Sequence, residues 1–353
     1  MLMTFANTWP DVLGKLLNKD ALDRAEADWA MTQIMGGEAS DAQVGAFMLA
    51  LRSKGETVEE LAGLVDVMLR NAVILDTGNE AVDIVGTGGD MVGTVNISSM
   101  AAILTAASGI PVMKHGSRSA SGKTGSSEML EVLGIRLDLS PERVADVFRE
   151  VGITFFFAPV FHPAMRYVAP IRRELGVPTT FNFLGPLANP AQPIATSLGV
   201  ANGLIAPLMA QEVAVRGRSA LVFRGSDGLD ELTTTGSSEI WEVAGGEVRT
   251  STLDPSQLGL VKASVSDLVG GDAQHNAHVA KSLFEGEFSG PVADIVRLNA
   301  AAGVVAFELA QDPSRMEETL VGRFDTALQK VTEALEDGRA ADKLSAWMAA
   351  TQI

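Results

Sequence analysis

The sequence contains no cysteine among its 353 residues. It therefore has no disulfide framework, no thiol nucleophile and no zinc site built from thiolates. No unbroken apolar run approaches the ~20 residues that span a bilayer, and the first residues lack a basic segment followed by a long apolar one. We therefore expect a cytoplasmic protein without a membrane partner.

Basic residues are also in deficit, since 27 Lys and Arg stand against 44 Asp and Glu and give a formal net charge of −17. Nucleic acids and anionic membranes are bound largely through basic surfaces, so we expect neither as a partner. Small phosphorylated substrates remain open, because local positive charge or bridging metal ions suffice to hold them. A hydrophobic content of 46% is typical of a folded chain, and the length fits about two domains of roughly 150 residues.

Residues 83–99 (DIVGTGGDMVGTVNISS) are the stretch around which the rest is organised. An apolar run ends at a glycine cluster, and helical spacing begins after Ser98, which predicts a strand, a glycine loop and a helix start. Such a loop brings main-chain N–H groups close to an anion, usually phosphate. A plain strand-to-helix turn also explains the pattern. The stretch lacks the Gly-Lys-Ser/Thr ending of a Walker A loop and the glycine spacing of a dinucleotide site.

Residues 9–72 show helical apolar spacing and predict a small helical unit. Asp20 is a candidate helix cap, and Ser40 and Thr57 have capping-box spacing to Gln43 and Glu60. This unit contains no histidine and no compact polar cluster. We therefore assign it to architecture and to contacts within an oligomer.

From residue 82 onward, strand and helix patterns alternate, which predicts an α/β fold with a mostly parallel central sheet covered by helices. Ligands of such sheets bind at the carboxyl ends of the strands. Residues 162–193 interrupt the alternation and are expected to pack on the amino-terminal helices. We therefore expect a helical domain at 1–78, with 162–193 packed on it, and an α/β domain made of 79–161 and 194–353.

A glycine- and serine-rich segment after the strand at 110–113 carries the cations Lys114, Arg118 and Lys123. Such a segment is a flexible surface that can close over phosphates, and a solvated loop is the alternative. His115 could hydrogen-bond a ligand or act in proton transfer, and a structural role is the alternative.

Asp230 and Glu231 follow a strand-turn signal, where both carboxylates can reach Mg²⁺ or simply face solvent. One guanidinium of Arg172 and Arg173 could hold a carboxylate substrate, although such pairs often face solvent or neighbouring acids. Together, a phosphate cradle, a cationic loop and a carboxylate pair fit metal-assisted displacement at a phosphorylated sugar.

Six motifs, in this order, resemble those of the anthranilate phosphoribosyltransferases, and the likeness runs over nearly the whole chain. They are 86–90 (GTGGD), 96–98 (NIS), 114–116 (KHG), 162–165 (HPAM), 182–190 (NFLGPLANP) and 227–231 (DGLDE). The resemblance implies a step of tryptophan biosynthesis. The amine of anthranilate attacks C1 of phosphoribosyl pyrophosphate, and pyrophosphate leaves.

The resemblance also implies the site residues, two Mg²⁺ ions per subunit and a homodimer. Phosphoribosyl pyrophosphate would be bound by Gly86, Thr87, Gly88, Gly89, Asp90, Thr94, Asn96, Ser98, Ser99, Lys114 and Ser126. Anthranilate would be bound by Gly86, His115, Gly116, Ser117, His162 and Arg172. Ser98 and Glu231 would hold one Mg²⁺, and Asp230 with Glu231 a second. No residue is assigned as a general acid or base.

The sequence departs from the family pattern at Ser117, where the family usually carries asparagine. Serine is shorter, so we expect anthranilate to remain the substrate with a looser or water-bridged contact. A nucleoside phosphorylase, or a transferase using another aromatic amine, is the alternative enzyme. A third hypothesis is a nucleic-acid-binding protein, as suggested for distant relatives of the family. The charge of −17 and the intact metal motifs oppose it.

Overall fold

The structure, a computed structural model, describes residues 7–75, 77–118 and 124–352. The helices are α1 Trp9–Leu17, α2 Arg24–Met35, α3 Asp41–Lys54, α4 Val58–Arg70, α5 Ile97–Ala107, α6 Ser126–Val132, α7 Pro141–Val151, α8 Ala158–Phe161, α9 Ala169–Leu175, α10 Phe181–Leu187, α11 Ala206–Val215, α12 Ala273–Phe284, α13 Pro291–Gln311, α14 Leu320–Glu336 and α15 Arg339–Thr351. The strands are β1 Val82–Gly86, β2 Val112–Gly116, β3 Ile153–Phe157, β4 Ala195–Gly199, β5 Ser219–Gly225, β6 Ser238–Ala244 and β7 Glu247–Leu253.

Helices α1–α4 form the predicted helical unit, and their ends follow local sequence signals. The capping boxes of Ser40 with Gln43 and of Thr57 with Glu60 are confirmed. The cap predicted at Asp20 is wrong, because Asp23 caps α2 in a box with Glu26. The main-chain N–H of Asp20 instead donates to Lys15, in the turn that closes α1.

The described strands form one sheet in the order β3-β2-β1-β4-β5-β6-β7. Strands β1 to β5 pair in parallel, and β6 and β7 add an antiparallel edge, which confirms the mostly parallel sheet. The chain leaves β1 toward β2 and β3 but returns beside β1 as β4. Ligands of open α/β sheets bind at such a reversal of strand order. Gly86 and Gly199, the last residues of β1 and β4, pair with each other there.

The sheet separates two hydrophobic cores, because alternate side chains of a strand face opposite sides. Ile84, Leu221 and Phe223 face a core formed with α5, α13, α14 and α15. Val85 and Val222 face a second core, formed with α1–α4, α11 and residues 168–188. Residues 162–193 thus contribute buried side chains to the core of the amino-terminal helices. The domain boundaries given above stay a prediction.

Strand β2 lies further along the chain than its apolar residues indicated, since it runs through Lys114, His115 and Gly116. A strand can include these polar residues because the Lys114 and His115 side chains find buried polar partners. Among the described residues, no helix is both long and apolar enough to cross a membrane.

Candidate active site

The glycine loop begins where β1 ends and leads to the first turn of α5. Gly88, Gly89 and Gly93 have φ of 68°, 86° and 70°, a region that favours glycine. Thr87 fastens the start of the loop to β4, since its N–H donates to the Gly199 carbonyl at 3.0 Å. The predicted strand, glycine loop and helix start are confirmed.

Asp230 lies directly over the paired glycines at the ends of β1 and β4. A Cβ on Gly86 would lie 2.2 Å from Asp230 Oδ2, and one on Gly199 would lie 1.7 Å from the Asp230 carbonyl oxygen. The Gly88 N–H donates to Asp230 Oδ2 at 2.7 Å. Two glycines without side chains therefore let a carboxylate segment from beyond β5 approach the glycine loop.

Three carboxylates meet at this point: Asp90, Asp230 and Glu231. Burial, and then the Asp90 carboxylate, raise the pKa of Asp230 to about 7. Burial, and then Asp230, raise the pKa of Glu231 well above its usual value, and the main-chain N–H of Ser98 donates to Glu231. Crowded, buried carboxylates of this kind favour a cation between them.

This donor set fits a metal ion that draws further ligands from a substrate. Within residues 7–75, 77–118 and 124–352, no three His, Cys, Asp or Glu side chains are placed to hold a metal by themselves. Mg²⁺, however, is commonly held by one or two carboxylates together with substrate phosphates and water. The oxygen ligands and raised carboxyl pKa values suit that arrangement.

Lys114 lies in β2 beneath the carboxylates and is only 1% exposed. Its ammonium donates to the Ile84 carbonyl and, at 3.4 Å, to Ser98 Oγ. Burial lowers its pKa, while Asp83, Glu231 and Asp230 counter that effect. The expectation that Lys114 sits on a flexible surface loop is therefore wrong. Its side chain is held inside the sheet.

The other cations of that segment lie elsewhere. The exposed Arg118 forms an ion pair with Glu131 at 2.8 Å, and Lys123 lies outside the described residues. Ser117 is exposed, and its hydroxyl donates to the Arg118 carbonyl at 3.0 Å. The Ser126 hydroxyl donates to the Ser117 carbonyl at 3.4 Å. A Cβ on Gly116 would lie 2.7 Å from Ser126 Oγ, so this turn is tightly packed.

His115 and His162 form a buried pair with ring centroids 5.1 Å apart. His115 Nδ1 lies 3.1 Å from the Gly185 carbonyl, and His162 Nε2 lies 2.9 Å from the Ala188 carbonyl. A carbonyl can only accept, so these two nitrogens carry the hydrogens. The buried Nε2 of His115 has no partner in the described part of the chain and remains a bare acceptor.

Both imidazoles are neutral at ordinary pH. Burial, and then His162, lower the pKa of His115 to about 3. Burial also lowers the pKa of His162 to about 4. The pair therefore offers hydrogen-bonding groups rather than strong bases.

Sequence reasoning gave no role to Asp83 and Asn189, which form hydrogen bonds with each other and with strand β2. The Asp83 carboxylate accepts from the His115 N–H at 3.1 Å and from Asn189 Nδ2 at 2.9 Å. Burial raises the pKa of Asp83 to about 6, although Lys114 lowers it. A charged residue inside an apolar strand, at Asp83, was the signal that could have found this network.

Arg172 lies on α9, and no hydrogen bond or ion pair in the described part of the chain joins it to the carboxylate cluster. Its guanidinium is partly buried, and burial lowers its pKa. No described side chain forms an ion pair with it, so the group is available to an anion.

The end of the glycine loop, at Thr94 and Asn96, is bonded to residues 269–276. Sequence reasoning gave that segment no role. Thr94 forms an antiparallel bridge with Val269, and Asn96 Oδ1 accepts from Asn276 Nδ2 at 2.8 Å. Ser99 lies in the first turn of α5 and has a buried hydroxyl without a partner among the described residues. The structure thus brings together the predicted residues of the glycine loop, Ser98, Lys114, Asp230 and Glu231.

Two family models match nearly all of the chain. The helical bundle domain of a glycosyl transferase family matches residues 10–72, and its α/β domain matches residues 78–341. A two-domain glycosyl transferase is thus the class that fold and site define.

Individual relatives narrow this class. The anthranilate phosphoribosyltransferase of Leifsonia xyli subsp. xyli is 53% identical over 99% of this chain and 100% of its own length. That of Arthrobacter sp. is 52% identical over 98% of this chain and 97% of its own. The chain belongs to the anthranilate phosphoribosyltransferase family.

Solved structures share this fold. The Thermus thermophilus enzyme has a TM-score of 0.88 at 39% identity, covering 97% of this chain and 100% of that one. The Saccharomyces cerevisiae enzyme in complex with phosphoribosyl pyrophosphate and Mg has a TM-score of 0.87 at 26% identity, covering 98% of both chains.

Proposed function

We propose that this chain transfers the phosphoribosyl group of phosphoribosyl pyrophosphate to the amine of anthranilate in tryptophan biosynthesis, with release of pyrophosphate. One observation carries the proposal. Asp230 and Glu231 lie against the glycine loop and the first turn of α5, so main-chain donors and metal ligands meet at one point. Relatives at about half identity over their full length carry that activity in their names.

The glycine loop and α5 supply the pyrophosphate half of the site. The N–H groups of Thr87 and Gly88 already donate to Gly199 and Asp230, so the N–H groups of Gly89 and Asp90 would meet the oxygens of the leaving group. The fixed ammonium of Lys114 adds positive charge beside Ser98. The hydroxyls of Thr87, Thr94, Ser99 and Ser126, with the Asn96 amide, complete the proposed contacts to the phosphates and ribose.

Mg²⁺ fits the oxygen ligands of this cluster. Ser98 and Glu231 would hold one ion, and Asp230 with Glu231 a second. When bound, Mg²⁺ neutralises charge that builds on the departing pyrophosphate. Asp90 lies within hydrogen-bonding reach of Asp230 and adds negative charge beside the two proposed metal ligands.

The chemical step breaks the C1–O bond to pyrophosphate and forms a C1–N bond, and the amine then releases one proton to water or to the departing pyrophosphate. Negative charge grows on the leaving oxygens, where N–H donors of the glycine loop and the side chain of Lys114 would stabilise the transition state. An aryl amine is nucleophilic without deprotonation, and positioning should dominate its reaction. His115 is buried and its pKa is low, so it would line the anthranilate path as a neutral imidazole and is a poor base.

The anthranilate half of the proposal rests on Arg172, the histidine pair and the 116–117 turn. The partly buried Arg172 has no carboxylate partner among the described residues and would hold the carboxylate of the substrate. Gly86 and Gly116 would line this half of the site with main chain only, since a Cβ on Gly86 would collide with Asp230 and one on Gly116 with Ser126 and Phe155. Ser117 is too short to replace an asparagine amide fully, so we expect a looser or water-bridged contact.

We further propose a homodimer formed through the amino-terminal helices, which sedimentation tests, and a cytoplasmic location. We also propose the division into a helical domain at 1–78, with 162–193, and an α/β domain at 79–161 and 194–353.

Product analysis with competing acceptors tests the proposed reaction. The purified protein is given phosphoribosyl pyrophosphate, Mg²⁺ and anthranilate, and then a panel of substituted anthranilates. We expect phosphoribosyl-anthranilate and an equal amount of pyrophosphate. Turnover of another aromatic amine with none of anthranilate, or phosphorolysis of a nucleoside, would replace the proposal with the alternative enzyme.

A further inference from the structure

Asn276 lies in the first turn of α12, outside the glycine loop, and is 1% exposed. Its side chain makes two hydrogen bonds within the described part of the chain. Oδ1 accepts from the main-chain N–H of Gly271 at 2.8 Å, and Nδ2 donates to Asn96 Oδ1 at 2.8 Å. A buried amide thus links a fixed main-chain donor to Asn96.

The donor and acceptor of each of these two hydrogen bonds are fixed by the Gly271 N–H. A main-chain N–H can only donate, so Asn276 must turn its oxygen toward Gly271 and its NH₂ group toward Asn96. Asn96 must then present its own oxygen. The NH₂ group of Asn96 is consequently turned the other way, where its described partner is the Thr124 carbonyl at a long 3.4 Å.

The same bond keeps Asn96 from capping its own helix. Asn96 is the N-cap residue of α5, where an asparagine usually accepts from an N–H of the first turn. Its side chain makes no such bond here. The Ser98 N–H instead donates to Glu231. The bond to Asn276 therefore orients the Asn96 side chain. The N–H groups at the start of α5 are then met by other anionic groups.

The segment around Gly271 is rigidly attached to the glycine loop. The Gly270 N–H donates to Gly93 at 2.9 Å, and the Val95 N–H donates to Leu268 at 3.0 Å. A Cβ on Gly270 would lie 2.7 Å from the Thr94 carbonyl oxygen. The segment that carries Gly271 and the end of the glycine loop are thus in close contact.

We propose that Asn276 is a positioning residue for phosphoribosyl pyrophosphate: it fixes the amide of Asn96 with the NH₂ group as the donor toward the substrate's oxygens. This inference rests on the proposed function, which places the substrate against Asn96. Asn276 itself touches no substrate. Its effect passes through Asn96 alone, and a merely structural asparagine would act whether or not Asn96 is present.

A double-mutant cycle on binding tests the relay, with calorimetry of phosphoribosyl pyrophosphate in Mg²⁺ as the readout. Asn276→Leu removes both bonds without adding charge, and we expect about a tenfold weaker Kd. Asn276→Asp keeps the shape and the bond to Gly271 but cannot donate, so Asn96 must turn its NH₂ group inward. We expect about a hundredfold weaker Kd, larger than for leucine. The KM for anthranilate should stay unchanged.

The decisive comparison repeats the Asn276 substitutions in the Asn96→Ala variant. There we expect Asn276→Leu to change the Kd by less than about twofold, because the relay has lost its end. The aspartate variant should keep only the smaller penalty of its added charge. Asn71→Asp, at the end of α4, is the matched control and should bind as the wild type does.

Three outcomes would overturn the relay. Penalties of equal size with and without Asn96 would reduce Asn276 to a structural role. An aspartate variant that binds better than the leucine variant would contradict the direction of the bonds. A wild-type protein that does not bind phosphoribosyl pyrophosphate would remove the proposed function and the relay together. If the leucine variant does not fold, the isosteric aspartate variant carries the cycle alone.

Discussion

The main-chain N–H of Gly88 donates to the carboxylate of Asp230 at 2.7 Å, although 142 residues separate them in the chain. The loop that we propose binds pyrophosphate thus already holds an internal carboxylate. A pyrophosphate entering this loop would meet the negative charge of Asp230, Glu231 and Asp90. A cation between the two sets of oxygens removes that repulsion, which is why we join the glycine loop and the carboxylates into one metal-dependent site.

Gly86→Ala tests the contact beneath Asp230. The new methyl group would lie 2.2 Å from Oδ2, so the carboxylate must move away from the Gly88 N–H. We expect kcat/KM to fall about a hundredfold and the free energy of unfolding to fall by about 1–3 kcal/mol. Steady-state kinetics and denaturant unfolding measure the two effects.

Gly14→Ala is the control, since a Cβ at this position of α1 meets nothing within 4 Å. Activity should be unchanged, and stability should rise by up to about 1 kcal/mol because alanine favours helices. Normal kinetics in the Gly86 variant would mean that Asp230 need not occupy its observed position.

Arg172→Ala separates the two substrates. The guanidinium has no described carboxylate partner, and a charged hydrogen bond is worth about 1.5–3 kcal/mol, so the KM for anthranilate should rise about 10–100-fold. The KM for phosphoribosyl pyrophosphate should change far less. Arg173→Ala removes the same charge from the neighbouring, exposed position and should alter neither value. Equal effects of Arg172→Ala on both KM values would argue against a carboxylate clamp.

His162→Gln reports the buried, neutral imidazole through stability. The folded pKa of about 4 lies below the ordinary 6.5, so the unfolded chain takes up the proton first. The stability that the folded state draws from a neutral His162 is fully present above pH 6.5. It is lost as the pH falls toward 4. Between pH 7 and 5 the wild type should lose about 2 kcal/mol of unfolding free energy relative to the variant.

Denaturant unfolding of both proteins at several pH values makes this comparison. Other groups titrate in both and cancel in the difference. A difference between wild type and the His162 variant that stays constant from pH 7 to 5 would show that His162 titrates normally in the folded state.

Ser117→Asn restores the residue expected from the family resemblance. Its longer amide should reach the acceptor, and one hydrogen bond of about 0.5–1.5 kcal/mol should lower the KM for anthranilate about 2–10-fold. Ser117→Ala should have little effect, because the serine hydroxyl donates locally to the Arg118 carbonyl. An unchanged KM in the asparagine variant would show that this position does not face the acceptor.

Features set by neighbouring residues were predictable from sequence. Ser40 with Gln43 and Thr57 with Glu60 are capping boxes because a helix start uses residues three apart. The cap predicted at Asp20 was wrong, since Asp23, three residues further on, caps α2 in a box with Glu26. Local signals identify a helix start but do not choose between adjacent candidates.

Contacts between distant residues were not predictable in this way. The position of Lys114 inside β2 depends on Ile84 and Ser98, and a glycine- and serine-rich sequence alone suggests a loop. The bonds of Asp83 with Asn189, and of Asn96 with Asn276, join segments more than 100 residues apart. The family motifs indicated which segments matter, whereas only the fold shows which atoms meet.

The double variant Asp230→Asn with Glu231→Gln tests the central claim, that these carboxylates and the glycine loop form one magnesium-dependent clamp. It preserves shape and removes both charges. Glu317→Gln with Glu318→Gln is the matched control, since it neutralises an adjacent acidic pair on the exposed surface.

The measurement is the initial rate of phosphoribosyl-anthranilate formation across a range of Mg²⁺ concentrations. We predict that the control behaves as the wild type. The Asp230 and Glu231 variant should lose at least about a thousandfold in kcat/KM and require much more Mg²⁺. A variant that turns over normally, with an unchanged Mg²⁺ requirement, would contradict the account.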